Sequence, residues 1–272
     1  MIVSLGGDPL LNLAAQLPDL PGTDAAQLTA VLRGQALNLV RGRTVELDGP
    51  ADAEFVIEGY IDAKEIDAAQ GTVASPSGLL VARQRLPVIR VTAVTHRSQP
   101  VLPTVVYSAS GSEELAWYPL LSELLTPVIQ RTCPAVQSFR FSTDSQGQRT
   151  AFVGLRTRFP GHARQVLHGL AQWPRLADCM VLIAVDDDIE LAEPSSIWQQ
   201  VAKQVDPAHD IWTPPAARDA SHQACRHPAH SATLLIDATR KPNTITGAWP
   251  ETAQPGEAAQ EMARAIWKQA RG

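Results

Sequence analysis

Residues 179–188 read CMVLIAVDDD, an unbroken apolar run that stops at three aspartates. A half-buried strand alternates apolar and polar residues, so a run without alternation belongs to a strand covered on both faces. Such strands occur where helices pack on both sides of a largely parallel sheet, and this commits the surrounding chain to an α/β architecture. The flanks agree. A helical pattern over 160–172 precedes the run, Ile197, Val201 and Val205 mark a helix after it, and TLLID (233–237) supplies a last strand. Residues 135–142 and 150–156 read as a strand pair around the turn TDSQG. Upstream, Ser112 is placed to cap a segment with Leu121, Leu124, Leu125 and Val128 at helical spacing, which Pro119 and Pro127 are expected to split or kink. Residues 256–270 read as an amphipathic C-terminal helix.

The first part of the chain has a different texture. MIVSL is a short strand, and Asp8 is an N-cap with Pro9 at the first helical position, opening a helix through Leu17. LPDLPG breaks it, and a second helix fits Thr23 to Arg33 with Gly34 as its stop. Residues 36–40, 43–48 and 54–61 are β-rich. Val88 to Thr95 alternates, with Val88, Arg90, Thr92 and Val94 on one side and Ile89, Val91 and Ala93 on the other. Residues 62–80, rich in Ala, Gly and Ser, read as a loop or lid. The change of pattern after Gly111 places domain limits at 1–110 and 111–245, with 246–272 as a tail helix.

Charge excludes some function classes. With 23 Lys+Arg against 28 Asp+Glu the net charge is −5, so no basic field draws nucleic acid or anionic lipid. Gly6, Gly7 and Pro9 interrupt the opening apolar run and no positive region precedes it, so neither a signal sequence nor a membrane span is expected there. Cys133, Cys179 and Cys225 are odd in number and far apart, which suits reduced thiols rather than a disulfide framework. The expectation is a cytoplasmic chain.

Few residues carry chemistry on their own. Asp186, Asp187 and Asp188 end a buried strand, where open α/β sheets place ligands and carboxylates could hold Mg²⁺; the competing reading is a solvated turn with a helix cap. His222, Cys225, His227 and His230 are the candidate zinc ligands, against a surface loop rich in Pro and Ala. Ser108, Ser110 and Ser112 lie in no nucleophile elbow, and neither G-x-G-x-x-G nor a P-loop occurs.

Several stretches, in order, resemble the UbiD-type carboxy-lyase family. They are SLGGDPLL (4–11), LTAVLRG (28–34), PADAEFVIEGYID (50–62), VIRVTAVTHRSQPV (88–101), FPGHARQVLHGLA (159–171), VLIAVDDDIEL (181–191) and LIDATRK (235–241). The resemblance implies an α/β (α+β) chain with a split-barrel flavin-type domain followed by an α/β domain that makes oligomer contacts. It also implies decarboxylation of aromatic or α,β-unsaturated acids with prenylated FMN and a divalent metal.

Set against the family's pattern, the catalytic parts are missing. Its members run to nearly twice this length, and the part absent here supplies an Arg of the catalytic set together with cofactor and metal contacts. Where the family writes E-G-P-F-G-(D/E), this chain has Gln70 and Ser75 in place of the two carboxylates. A shift of a few residues in the matching would instead make Glu65 or Asp67 the retained acid. The family's metal-binding Glu falls at Ala25. Glu58 and His96 survive in their motifs, with structural roles as the competing reading: Glu58 pairing near a strand end, His96 hydrogen-bonding at a turn. Gln70, Ser75, Glu58 and His96 thus outline a remnant pocket. The expectation is a UbiD-related accessory subunit that forms a homo-oligomer, assembles with a catalytic UbiD-type partner chain, or both, with no cofactor held by this chain alone. Two alternatives stay open: an active small carboxy-lyase completed by a second polypeptide, and a module that binds a flavin or an aromatic acid.

Overall fold

The computed structural model describes residues 1–17, 24–67, 72–74, 80–82, 86–106, 116–143, 150–173, 176, 179–216, 230–241 and 255–270. It divides into two units, Met1–Arg240 and Lys241–Gly272. Gln70, Ser75, His222, Cys225 and His227 lie outside the described residues, as do the three serines at 108, 110 and 112.

The apolar run folds as expected. It forms β10 (Val181–Asp186), the central strand of a five-stranded sheet ordered β11 (Ile211–Trp212), β14 (Leu234–Asp237), β10, β9 (Thr150–Leu155), β8 (Val136–Phe141). β9, β10 and β14 run parallel, and β8 and β11 add antiparallel edges. Alternate residues of β10 enter two different cores. Leu182 and Ala184 join the larger one with α3 (Trp117–Thr132) and α4 (His162–Leu170), through Leu121, Leu125, Ile129, Leu167 and Leu170. Ile183 and Val185 join the other with Ile197 of α5 (Pro194–Gln204). All four of these β10 residues are fully buried.

The prolines do not divide α3. Pro119 sits in the first turn, where no intrahelical acceptor exists for the N–H it lacks. Pro127 lies inside the helix, and beside it the Thr126 hydroxyl donates to the Ser122 carbonyl at 2.8 Å. Packing of Leu121, Leu125 and Ile129 into the core holds the helix together across the missing bond.

The N-terminal elements start where local signals put them. β1 (Ile2–Leu5) is followed by α1 (Pro9–Ala14), whose N-cap Asp8 accepts from the Leu10 N–H at 2.9 Å. α2 (Ala25–Arg33) opens on a reciprocal capping box between Asp24 and Gln27 and stops at Gly34 with φ +70°. Arg33 pairs with Asp8 at 3.2 Å and ties the two helices together. Leu13 and Leu17 are buried in the larger core beside α3, so these helices share the α/β core rather than enclosing one of their own.

Between α2 and α3 the regular elements among the described residues are all strands. A hairpin of β2 (Leu39–Arg41) and β3 (Asp48–Pro50) precedes a three-stranded antiparallel sheet ordered β1, β4 (Phe55–Asp67), β7 (Leu86–His96). A second hairpin joins β5 (Thr72–Ala74) to β6 (Leu80–Ala82). Within residues 62–80, expected as a loop or lid, the described ones are strand: β4 runs on to Asp67, and 72–74 and 80 belong to β5 and β6. The described strands of this half form one sheet and two hairpins, and no closed barrel is built from them. The short strands β12 (Pro215–Ala216) and β13 (Ser231–Ala232) pair beside the larger sheet, and α6 (Glu257–Ala270) makes up the described part of the second unit.

Two register shifts interrupt the pairing of β4 with β7, between Glu58 and Gly59 and between Ile61 and Ile66, and the first sets the faces of the smaller sheet. Glu58 pairs with Ala93 and Gly59 with Val91, so Thr92 is an extra residue on β7. Gly59 is required there, because a Cβ would run into the Arg90 carbonyl. The bulge also corrects the alternation expected for 88–95: Val94 pairs with Ile57 and shares its face with Val91 and Ile89, away from Arg90.

Candidate functional site

Of the four remnant-pocket residues, Glu58 and His96 are described, and both lie in the β1–β4–β7 sheet. Glu58 is 2% exposed. The turn after β2 folds over it, and the Arg43 and Thr44 N–H groups donate to its carboxylate at 2.9 and 2.6 Å. The Thr44 hydroxyl and the Val45 N–H add donations to Oε2 at 2.8 and 3.3 Å. Gly42 makes the turn tight enough, since a Cβ would stand 2.8 Å from the Val45 carbonyl and 3.2 Å from Glu58 Oε2. The Thr44 hydroxyl also meets that of Thr92 at 2.6 Å, and the Tyr60 hydroxyl donates to the Thr44 carbonyl at 3.1 Å.

Donors on both oxygens favour the charged form. The backbone bonds from Arg43 and Thr44, reinforced by the Thr44 hydroxyl, hold the Glu58 carboxyl at a pKa of about 2 against the opposing effect of burial. Glu58 is thus an anion with its lone pairs engaged, and it pins the β2–β3 turn to the sheet. His96 lies at the end of β7, its Nδ1 2.6 Å from the Arg97 carbonyl and its ring 6.0 Å from that of Phe55.

Of the two alternative acids, Glu65 is held by Arg90 through Nε at 2.8 Å and Nη2 at 2.9 Å, and Asp67 ends β4 opposite Leu86. Ala25 stands at the first position of α2 and offers a metal no side-chain donor, and its carbonyl already accepts from the Thr29 hydroxyl at 2.6 Å. The residues at that position do not fit the divalent metal that the family resemblance implies. Among the described residues no group of three His, Cys, Asp or Glu side chains could hold a metal ion. His230 is exposed just before β13.

The three aspartates at the end of β10 separate to different partners. Asp186, 8% exposed, accepts the Arg240 N–H at 2.9 Å, while the Arg240 guanidinium reaches Asp188 at 2.7 Å. Asp187 pairs with Arg156 at 2.6 Å. The solvated-turn reading is therefore incomplete: two arginines, following β9 and β14, neutralise a turn that is partly buried. Burial pushes the Asp186 carboxyl up despite Arg240, and Asp188 and Asp237 add to the rise. These bonds depend on strand order, which left no local signal in the sequence.

Two family models match in tandem. The 3-octaprenyl-4-hydroxybenzoate carboxy-lyase Rift-related domain covers residues 1–110, and the C-terminal domain of the same family covers 117–238. The chain belongs to the UbiD family. Uncharacterized proteins of Archaeoglobus fulgidus and Aeropyrum pernix are 26% and 29% identical to it over 99% and 97% of its length. The chain spans 56% and 54% of those relatives. Among solved structures, vanillic acid decarboxylase of Sedimentibacter hydroxybenzoicus in its closed form superposes with a TM-score of 0.86 at 18% identity, over 100% of this chain and 58% of that one. The UbiD-class enzyme HmfF of Pelotomaculum thermopropionicum, in complex with FMN, gives 0.72 at 24% identity over 97% and 58%. These likenesses establish the UbiD fold over the chain. No helix among the described residues is long and apolar enough to cross a membrane.

Proposed function

We propose that this UbiD-family chain is a non-catalytic, accessory subunit of a carboxy-lyase acting on aromatic or unsaturated acids, working with a partner chain that holds the prenylated FMN and the metal. The observation that carries the reading is the state of Glu58. A general acid must release its proton near the working pH, whereas Glu58 is anionic well below neutrality with both oxygens occupied. Glu65 is held by Arg90, and Gln70 and Ser75, at the family's acid positions by resemblance, do not titrate. Ala25 gives a metal nothing to bind. What remains is a scaffold with a UbiD fold, suited to the cytoplasm and to assembly with itself and with a catalytic chain.

Purification from its own organism, with an absorbance scan for bound flavin, tests this. The expected result is a colourless chain when isolated and an active, flavin-bearing complex when a second UbiD-type chain co-purifies. In that complex Gln70→Ala should change turnover by less than about twofold. A fall of ~10²–10⁴, the range for loss of an acid or base, would place the chemistry on this chain and sink the proposal.

A further inference from the structure

We infer that α6 pairs antiparallel with the α6 of a second copy of this chain, about a two-fold axis between Met262 and Ala263; this goes beyond the accessory-subunit reading and fixes a face, an occupant and a direction. None of the 14 residues of α6 is buried. A helix of that length is marginal in water on propensity alone and owes its stability to packing of an apolar face. Such a face is present. Ala259, Met262, Ala263 and Ile266 follow the i, i+3, i+4, i+7 spacing that lines one side, and Trp267 borders them. Met262, Ile266 and Trp267 are 66, 60 and 63% exposed.

The order of large and small residues selects the occupant. In a two-fold pair, each residue that meets another is met by it in return. With the axis between Met262 and Ala263, antiparallel helices set Met262 level with Ala263 of the second copy, Ile266 level with its Ala259 and Trp267 level with its Ala258. Every large side chain then lies level with a methyl group, the alternation by which facing helices interdigitate. Other registers lose this match. Sliding one helix by a turn sets Met262 level with Ile266 in one direction and with the polar Gln260 in the other.

The charges agree on direction. Glu257, Glu261, Arg264 and Lys268 run along the opposite side of the helix, acidic in its first half and basic in its second. The same register puts Glu257 level with Lys268 of the second copy and Glu261 level with its Arg264, whereas a parallel pair puts like charge beside like. Lying away from the contact, these charges bias orientation, an effect that weakens with salt, while the contact itself is apolar.

Disulfide trapping in the full chain tests this, with the parent and its own three cysteines as the control. Ala263→Cys lies beside the axis, so mild oxidation of the purified protein should give a covalent dimer at least about tenfold above the parent. Ala259→Cys alone should stay at the parent's level, because its two copies stand about 10 Å apart along the helices, beyond the reach of a disulfide. Mixed with Ile266→Cys, it should form a covalent heterodimer. If Ala263→Cys does not melt cooperatively, Met262→Cys, on the other side of the axis, replaces it with the same expected result. A covalent dimer from Ala259→Cys alone would show parallel pairing and overturn the inference. An intrachain disulfide would show that α6 folds back on its own chain, with the same consequence. So would the lack of any dimer above the parent from folded Ala263→Cys or Met262→Cys. All of these are read on the isolated chain, so they leave the accessory-subunit reading, which turns on co-purification, as it stands.

Discussion

Thr44 binds Glu58 twice, through its N–H at 2.6 Å and its hydroxyl at 2.8 Å, and both bonds end on the same carboxylate oxygen. A carboxylate can accept on all sides, whereas an amide must turn an NH₂ group toward a donor. Glu58→Gln is therefore expected to lower the melting temperature at pH 7 and loosen the β2–β3 turn. The pH dependence has a definite sign. The folded carboxyl titrates at about 2, below its ordinary value of 4.5, so its stabilisation is complete above about 4.5 and is lost as pH falls toward 2. Thermal melts from pH 5 to pH 2 should show this loss in the parent and less of it in Glu58→Gln. Equal slopes in the two proteins would contradict the assignment.

Gly59→Ala should cost about 1–3 kcal/mol, since the added methyl runs into the Arg90 carbonyl and the two strands must part. Gly34→Ala, at a position with open space but φ +70°, should cost less, about 1 kcal/mol. Denaturant unfolding of the two variants checks the order, and the reverse order would show that β4 and β7 are not packed this closely.

At the other end of the molecule, Asp186→Asn should stabilise the fold at pH 7. The side-chain carbonyl can still accept the Arg240 N–H, and a buried charge beside Asp188 and Asp237 is removed. Because the folded pKa is raised above 3.8, the native carboxyl favours the fold at low pH and loses that contribution as pH rises. The gain in melting temperature should thus shrink on acidification. A variant less stable than the parent at pH 7 would show that the Arg240 ion pair outweighs burial.

Self-association is expected through α6, which leaves Met262, Ile266 and Trp267 exposed on one side. Sedimentation of the parent at micromolar concentration should show more than monomer, and Ile266→Glu should shift it toward monomer. Parent protein that sediments only as monomer would contradict this.

The sequence disclosed what neighbouring residues decide. Asp8 with Pro9, Asp24 with Gly34, and the run through Leu182 and Ile183 each signal their element within a few positions, and the folded chain follows them. What stayed hidden depends on residues far apart. Three of the four donors to Glu58 are backbone groups 13–15 positions earlier, and backbone N–H groups leave no mark in a sequence. The extension of β4 through Ile61 to Asp67 was obscured because much of it is exposed, which removes the alternation that announces a strand. Asp186 looked like a turn residue because Arg240 reaches it only after β14 has been laid beside β10.

The extra residue at Thr92 makes the smaller sheet sensitive to length as well as to composition. Every position of β7 before it is one step out of phase with the positions after it. Loss of the Thr92 codon would remove the extra residue yet leave Arg90 on the side of Glu58 and Val91 and Ile89 on the other, because Val91 and Ala93 would then alternate as ordinary neighbours. One residue added next to Thr92 would instead exchange the sides of every position of β7 before it, which no substitution in the strand could do at once.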